Sequence, residues 1–191
     1  MSRILTFSRT FPAYHPRKGE PTYFVEAILS QLGIDYTSYN YFDWIVKNNP
    51  KIDSSFLEDF MDSLKQNIYP KSHTIRNHVH PLKVSEFINP NCWAGKPYKK
   101  TKEGYWQIKF APDIQVKKTW NFEIEVDDDY TCFLIDKKPF CEINSKMTTN
   151  TGQLDYLAKN DGLNSLDLLY WFKHPKPFNG QIICWNENIK Y

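Results

Sequence analysis

From Ile108 to Val126 the chain is written in a two-residue rhythm. Ile108 and Phe110 interleave with Gln107 and Lys109, and Val116, Trp120, Phe122, Ile124 and Val126 share one parity. Successive side chains of a strand point to opposite faces, so this spacing predicts half-buried strands and is incompatible with a helix. Arg3 to Ser8, Leu82 to Ile88, Thr131 to Ile135, Phe140 to Ile143 and Gln181 to Trp185 read as further strands. Asn89-Pro90-Asn91, Asp127-Asp128-Asp129 and Phe178-Asn179-Gly180 read as turns, as does the end of Trp93-Ala94-Gly95-Lys96-Pro97-Tyr98. Lys137-Lys138 centres a strand pairing, and residues 145 to 155 read as a polar loop.

Helical spacing occurs in three places. Phe24, Val25, Ile28, Leu29 and Leu32 follow Thr22 as a candidate cap and precede Gly33. Residues 36 to 68 read as two short helices, the second capped by Asp53 or Ser54, and form a helical insertion. Asn164 or Ser165 caps a helix to about Phe172, with Leu163 as a staple and His174-Pro175 as the stop. Short strands with interspersed helices predict an α+β chain with a curled or closed antiparallel sheet.

A length of 191 residues suits one domain spanning 1–191. Aromatic residues make up 16% of the chain, which argues against disorder. The net charge of +2 does not by itself indicate a nucleic-acid binder, but the charge is unevenly placed. Seven lysines lie between Trp93 and Lys118 against Glu103 and Asp113, and five acids lie between Glu123 and Asp129. Cys92, Cys132, Cys141 and Cys184 have no close paired spacing, which predicts buried free thiols in a reducing compartment. Polar residues stand where a signal peptide needs an apolar run, and no stretch has the length of a membrane span. A cytoplasmic protein without membrane contact is expected.

The chemistry is concentrated in Lys71-Ser72-His73-Thr74-Ile75-Arg76, between helical and strand-like sequence. On an extended segment Ser72, Thr74 and Arg76 share a face. A Thr hydroxyl beside an ammonium and a carboxylate can serve as a nucleophile; alternatively the ammonium polarises a carbonyl while the carboxylate activates water. His78 and His80 alternate as a zinc pair would, but no nearby cysteine completes a set, so neither metal nor cofactor is expected. Trp93, Tyr98 and Tyr105 among the lysines suit an RNA face, with bases on aromatics and phosphates on ammonium groups; equally they are core aromatics beside a solvated lysine face.

Lys71 to Arg76 resembles the K-x-x-T-I-R signature of the ASCH domain family, a branch of the PUA-like superfamily. Ala158-Lys159-Asn160-Asp161-Gly162-Leu163, with the helix that follows, resembles that family's second signature. Trp93 to Tyr98 and Gly180 to Trp185 are similar to segments of a bacterial and phage subfamily. The resemblance covers about 68 to 187, with a weaker match at Gly19 to Leu32. It implies a PUA-like antiparallel β-barrel decorated with helices, whose cleft takes RNA or a modified nucleoside. It further implies Lys71, Thr74 and Asp161 as the catalytic set of an amidohydrolase acting on N(4)-acetylcytidine, or of a ribonuclease. Arg76, His73, Trp93, Lys96 and Tyr98 would bind the substrate. Two departures stand out: Asp161 is one methylene shorter than the family's Glu, and Val84-Ser85-Glu86 replaces a Gly-Asp turn. The alternatives are an Arg76–Asp161 ion pair that only braces the fold, and a protein-interaction module using the 36–68 insertion.

Overall fold

The computed structural model describes residues 2–66, 68–77, 81–127, 130–144, 151–172 and 177–191. Its strands are β1 (Ser2–Phe7), β2 (His73–Asn77), β3 (Phe87–Trp93), β4 (Gln107–Lys109), β5 (Ile114–Gln115), β6 (Lys118–Val126), β7 (Tyr130–Ile135), β8 (Lys138–Asn144) and β9 (Phe178–Cys184). Its helices are α1 (Phe24–Gln31), α2 (Tyr39–Asn48), α3 (Ser54–Asp62), α4 (Thr151–Asn160) and α5 (Ser165–Trp171). The α+β class follows. The chain divides into two compact units, the first holding 1–11, 17–71 and 87–114, and the second 12–16, 72–86 and 115–191.

The expected antiparallel barrel is corrected. The strands form two sheets, ordered β1-β3-β4 with β5 beside β3, and β2-β9-β6-β7-β8. The first is mixed: β1 and β3 run parallel, Leu5 opposite Pro90 and Phe7 opposite Cys92. Parallel neighbours need a long crossover, which the intervening helices supply. The second is antiparallel throughout, and β2 and β8 form its two edges.

In the first unit Phe7, Ile28, Leu29, Ile45, Leu57, Ile88, Ile108 and Phe110 are buried. Ile108 and Phe110 follow the predicted alternation, and the edge of the Phe7 ring meets Phe110 at 5.9 Å between centroids. The two predicted helices of the insertion are α2 and α3, capped by the side chains of Ser38 and Asp53. Thr22 does not cap α1. Its hydroxyl donates to the Ser8 carbonyl at 2.6 Å and accepts from the Phe24 N–H at 3.5 Å, one residue before Tyr23, which takes the cap position at φ 58°. Asn89-Pro90-Asn91 is the centre of β3 and not a turn. Pro90 brings no N–H to the ladder, but its carbonyl still accepts from the Phe110 N–H at 3.2 Å, on the side of β3 that faces the antiparallel β4.

In the second unit Phe122, Ile124, Phe133, Ile135, Leu154, Leu157, Leu168 and Ile182 form one core. The long predicted strand from Ile114 to Val126 breaks between β5 and β6. β7 and β8 pair about Asp136 and Lys137, both at positive φ (49° and 64°), as a tight primed hairpin turn requires. Residues 151 to 155, read as loop, open α4, whose Leu154, Leu157 and Ala158 are buried at helical spacing. Asn164 caps α5 as expected, accepting from the Asp167 N–H at 2.8 Å. Phe178-Asn179-Gly180 is the start of β9 and not a turn. His78, His80 and the His174-Pro175 stop lie outside the described residues.

Candidate functional site

One of the places where the chain passes between the two units falls between Lys71 and Ser72. Lys71 belongs to the first unit and is 1% exposed. Its N–H donates to the Ala27 carbonyl at 3.0 Å, which fixes the backbone beside α1. Its ammonium stands 4.3 Å from the centroid of the Phe24 ring. A desolvated cation on an aromatic face is held by the ring's quadrupole, so Lys71 is anchored in the interior of that unit.

His73, Thr74, Arg76 and Asp161 belong to the second unit. β2 pairs with β9, His73 opposite Cys184 and Arg76 opposite Gln181. The structure brings Asp161 to His73: the carboxylate oxygen is 3.6 Å from Nδ1, and both residues are buried. Nε2 of the same ring is 2.7 Å from the Tyr191 hydroxyl. Asn160 donates to that hydroxyl at 3.3 Å, and burial pushes the phenol's pKa well above its ordinary value. Tyr191 therefore keeps its proton. Thr74 is buried, and strand alternation directs its hydroxyl away from the face on which His73 meets Asp161. The Thr74 and Asp161 of the expected catalytic set are thus on different sides of β2, and the groups gathered around Asp161 are an imidazole and a phenol.

Trp93, Lys96 and Tyr98 belong to the first unit; Trp93 lines a cleft of about 230 Å³ there, and Lys96 and Tyr98 sit on the turn that supplies Gly95 and Pro97 to it. Arg9, Thr10, Gly19, Pro21, Trp93, Gly95 and Pro97 line it. Trp93, one of these, is the last residue of β3. The turn after β3 is closed by a hydrogen bond from the Lys99 N–H to the Lys96 carbonyl at 3.1 Å, so Lys96 sits exposed between two lining residues. Tyr98 adopts φ 59°, in the left-handed region that costs a residue with a Cβ about 1 kcal/mol or more. That conformation carries its ring to 4.9 Å from the Trp93 ring, tilted by 54°. The tyrosine is nonetheless 80% exposed.

Arg9 lines the same cleft. Its Nη2 donates to the Ser63 hydroxyl at 2.6 Å, and its guanidinium carbon stands 4.9 Å from the Phe60 ring centroid. Two residues at the end of α3 therefore fix this cation. Among the described residues no carboxylate comes within ion-pair distance of it. The loop that completes the cleft is held by an antiparallel bridge between Thr10 and Pro21, and its Gly19 takes φ 82°. Gly19 donates to the Phe11 carbonyl at 3.1 Å, so the turn stays tight.

Two other hollows have different chemistry. One, about 480 Å³, is lined by Glu125 and Glu142 with Cys132 and would repel an anion. The other, about 290 Å³, is lined mostly by apolar residues, among them Ile124, Phe133, Ile143 and Leu169. The Arg9–Trp93 cleft is the one of the three with a cation and an indole together.

Sequence reasoning put Trp93, Lys96 and Tyr98 in one substrate site with His73 and Arg76, which belong to the second unit, and did not name Arg9, Thr10 or Pro21 as site residues. The signal for these was a Pro- and Gly-rich loop carrying cations, and the weak match from Gly19 onward. Among the described residues no three His, Cys, Asp or Glu side chains gather as a metal-binding set, and no helix is long and apolar enough to cross a membrane. Comparison with family models, curated proteins and solved structures gave no match.

Proposed function

We propose that this protein binds RNA, or a nucleotide of RNA, in the Arg9–Trp93 cleft of its first unit. The observation that carries the reading is the guanidinium of Arg9, held by Ser63 and Phe60 with no carboxylate at ion-pair distance among the described residues, in one cleft with an indole beside a strained, exposed tyrosine. A flat base stacks on Trp93, and Arg9 and Lys96 meet phosphate oxygens. Base stacking on an aromatic side chain contributes about 1–3 kcal/mol, and a guanidinium held in place loses little entropy on meeting a phosphate. The cleft volume lies under the ~300 Å³ floor for drug-sized ligands, which suits a single ring system better than a large ligand.

The likeness of Lys71–Arg76 and Ala158–Leu163 to the two ASCH signatures supports the same ligand class. The four cysteines are buried free thiols, which supports a reducing compartment and a cytoplasmic setting. The test is fluorescence anisotropy with a labelled short single-stranded RNA. Arg9→Ala and Trp93→Ala should each weaken binding about tenfold or more, with the melting temperature of each variant measured alongside so that lost binding is told from lost fold. Equal affinity for wild type and both variants would overturn the reading.

A further inference from the structure

The face of the first sheet that carries Trp93 also carries a polar bridge. Directly opposed residues of an antiparallel pair project to the same face, with Cβ atoms about 4.5–5.5 Å apart. Gln107 of β4 is opposed to Trp93, so its side chain rises beside the indole that lines the cleft. On the other side of β3, Thr6 of β1 is paired with Asn91, two residues before Trp93 and therefore on the same face. Gln107 Nε2 donates to the Thr6 hydroxyl at 2.8 Å. This bond crosses β3 from the level of Trp93 to the level of Asn91 and holds the amide in place. It uses one of the two amide N–H groups. The second N–H and the amide oxygen of Gln107 have no hydrogen-bond partner among the described residues, and the residue is half-buried, so both groups are open to a ligand. The neighbouring amide of Asn91 differs. It is buried and donates to the Asn89 carbonyl at 3.1 Å and to the Asn89 side-chain oxygen at 2.6 Å, so it is engaged within the protein.

We infer that Gln107 reads the base that stacks on Trp93, and that the preferred base is adenine. This rests on the reading of the Arg9–Trp93 cleft. A glutamine amide offers an acceptor beside a donor, so it matches a base edge that offers a donor beside an acceptor. Adenine has its N6 amino group beside N7 on one edge and beside N1 on the other. Gln107 Oε1 accepts from the amino group, and the second N–H donates to the ring nitrogen. Guanine presents two acceptors, O6 and N7, on the first of these edges, and cytosine and uracil have only a C5–H next to their exocyclic group there. Adenine is thus the one base of the four that meets the amide on either edge. A base that leaves the amide without its second partner binds more weakly by about tenfold, the discrimination a good bidentate pair supplies.

The experiment measures binding of labelled oligouridylates of about eight nucleotides, either unsubstituted or with one central adenine, cytosine or guanine, to wild type, Gln107→Ala and Gln107→Leu. The readout is the ratio of affinities between RNAs, because a loss of fold lowers binding of all of them together and leaves the ratio unchanged. Wild type should bind the adenine-containing RNA about tenfold more tightly than the unsubstituted one, and more tightly than those with cytosine or guanine. Both variants should reduce that ratio to about twofold or less, Gln107→Leu while keeping most of the side-chain volume. Thr6→Val, which removes the hydroxyl that holds the amide, should lower the ratio as well. No preference for adenine in wild type, or a preference undiminished in either Gln107 variant, would overturn the inference and leave the Arg9–Trp93 reading standing. Binding of none of these RNAs by wild type would overturn both.

Discussion

The Tyr191 hydroxyl lies 2.7 Å from Nε2 of His73, and on its far side the same imidazole faces the Asp161 carboxylate at 3.6 Å. His73 is fully buried, so this chain of polar groups ties Tyr191, β2 and the end of α4 inside the second unit. Four aromatic rings, Trp120, Phe140, Tyr156 and His73, pack on Tyr191 edge to face. The most conspicuous polar cluster of the sequence is thus stitched into the core of that unit. Tyr191→Phe keeps the ring packing and leaves the imidazole nitrogen without its hydroxyl partner. It should cost about 1–2 kcal/mol in urea denaturation and leave RNA affinity unchanged.

Gly180 stands where β9 crosses between β2 and β6, opposite Asn77 and Phe122. A Cβ there would come within 2.3 Å of the Arg76 carbonyl oxygen and 2.5 Å of the Phe178 ring. Neither the backbone oxygen nor the packed ring can give way cheaply. Gly180→Ala should destabilise by about 2 kcal/mol or more, read as a drop in the denaturation midpoint.

Lys71→Ala truncates a fully buried four-carbon stem and removes the ammonium from the Phe24 ring. The cavity alone should cost roughly 2 kcal/mol or more. Loss of any activity in that variant is expected to track its loss of folded protein, so thermal melting should accompany every assay of it.

Burial pushes the Cys92 thiol up from its ordinary 9.0 to about 12, and also raises Cys132, Cys141 and Cys184. A raised folded pKa means that the unfolded chain releases its protons first. Stability from Cys92 is therefore fully present below pH 9.0 and declines as pH rises from there toward about 12. Native protein at neutral pH should show no thiol reactive toward a disulfide reagent, and all four should react after denaturant is added. Rapid labelling of any of them in the folded protein would contradict the burial.

Lys96 lies between two cleft-lining residues. Lys96→Ala should reduce the slope of log affinity against log salt by about 0.7, the contribution of one phosphate contact on a single strand. An unchanged slope would remove Lys96 from the interface.

Much of the secondary structure was legible because local patterns and tertiary demands agree. Ile108 and Phe110 alternate and are buried; Asp53 and Asn164 cap helices as their types predict. The errors have physical causes. Asn89-Pro90-Asn91 carries strong turn chemistry, but pairing with β1 overrides it. Thr22 is a good cap by type, yet α1 begins one residue later, with Tyr23 in the cap position and the Thr22 oxygen reaching only the Phe24 N–H. α4 was missed because Thr151, Gly152 and Gln153 hide its start, although Leu154, Leu157 and Ala158 carry helical spacing. The barrel expectation failed because strand order is not written in periodicity: nothing in Arg3 to Ser8 says that this strand pairs parallel with β3. At the site, His73 and Asp161 were both singled out, but not as partners, because they lie 88 residues apart in the sequence. Arg9 was visible only as one cation of a basic loop. Its fixed position depends on Ser63 and Phe60, which no local pattern connects to it.

The central claim is that RNA lies on the Trp93–Tyr98 side of the Arg9 cleft. Ultraviolet crosslinking of the full chain to a short single-stranded RNA, followed by peptide mapping, tests it directly, because stacked aromatic rings form the crosslinks. The account predicts crosslinks at Trp93 or Tyr98, lost in Arg9→Ala. Crosslinks confined to residues of the second unit, such as Trp120 or Tyr156, would contradict it.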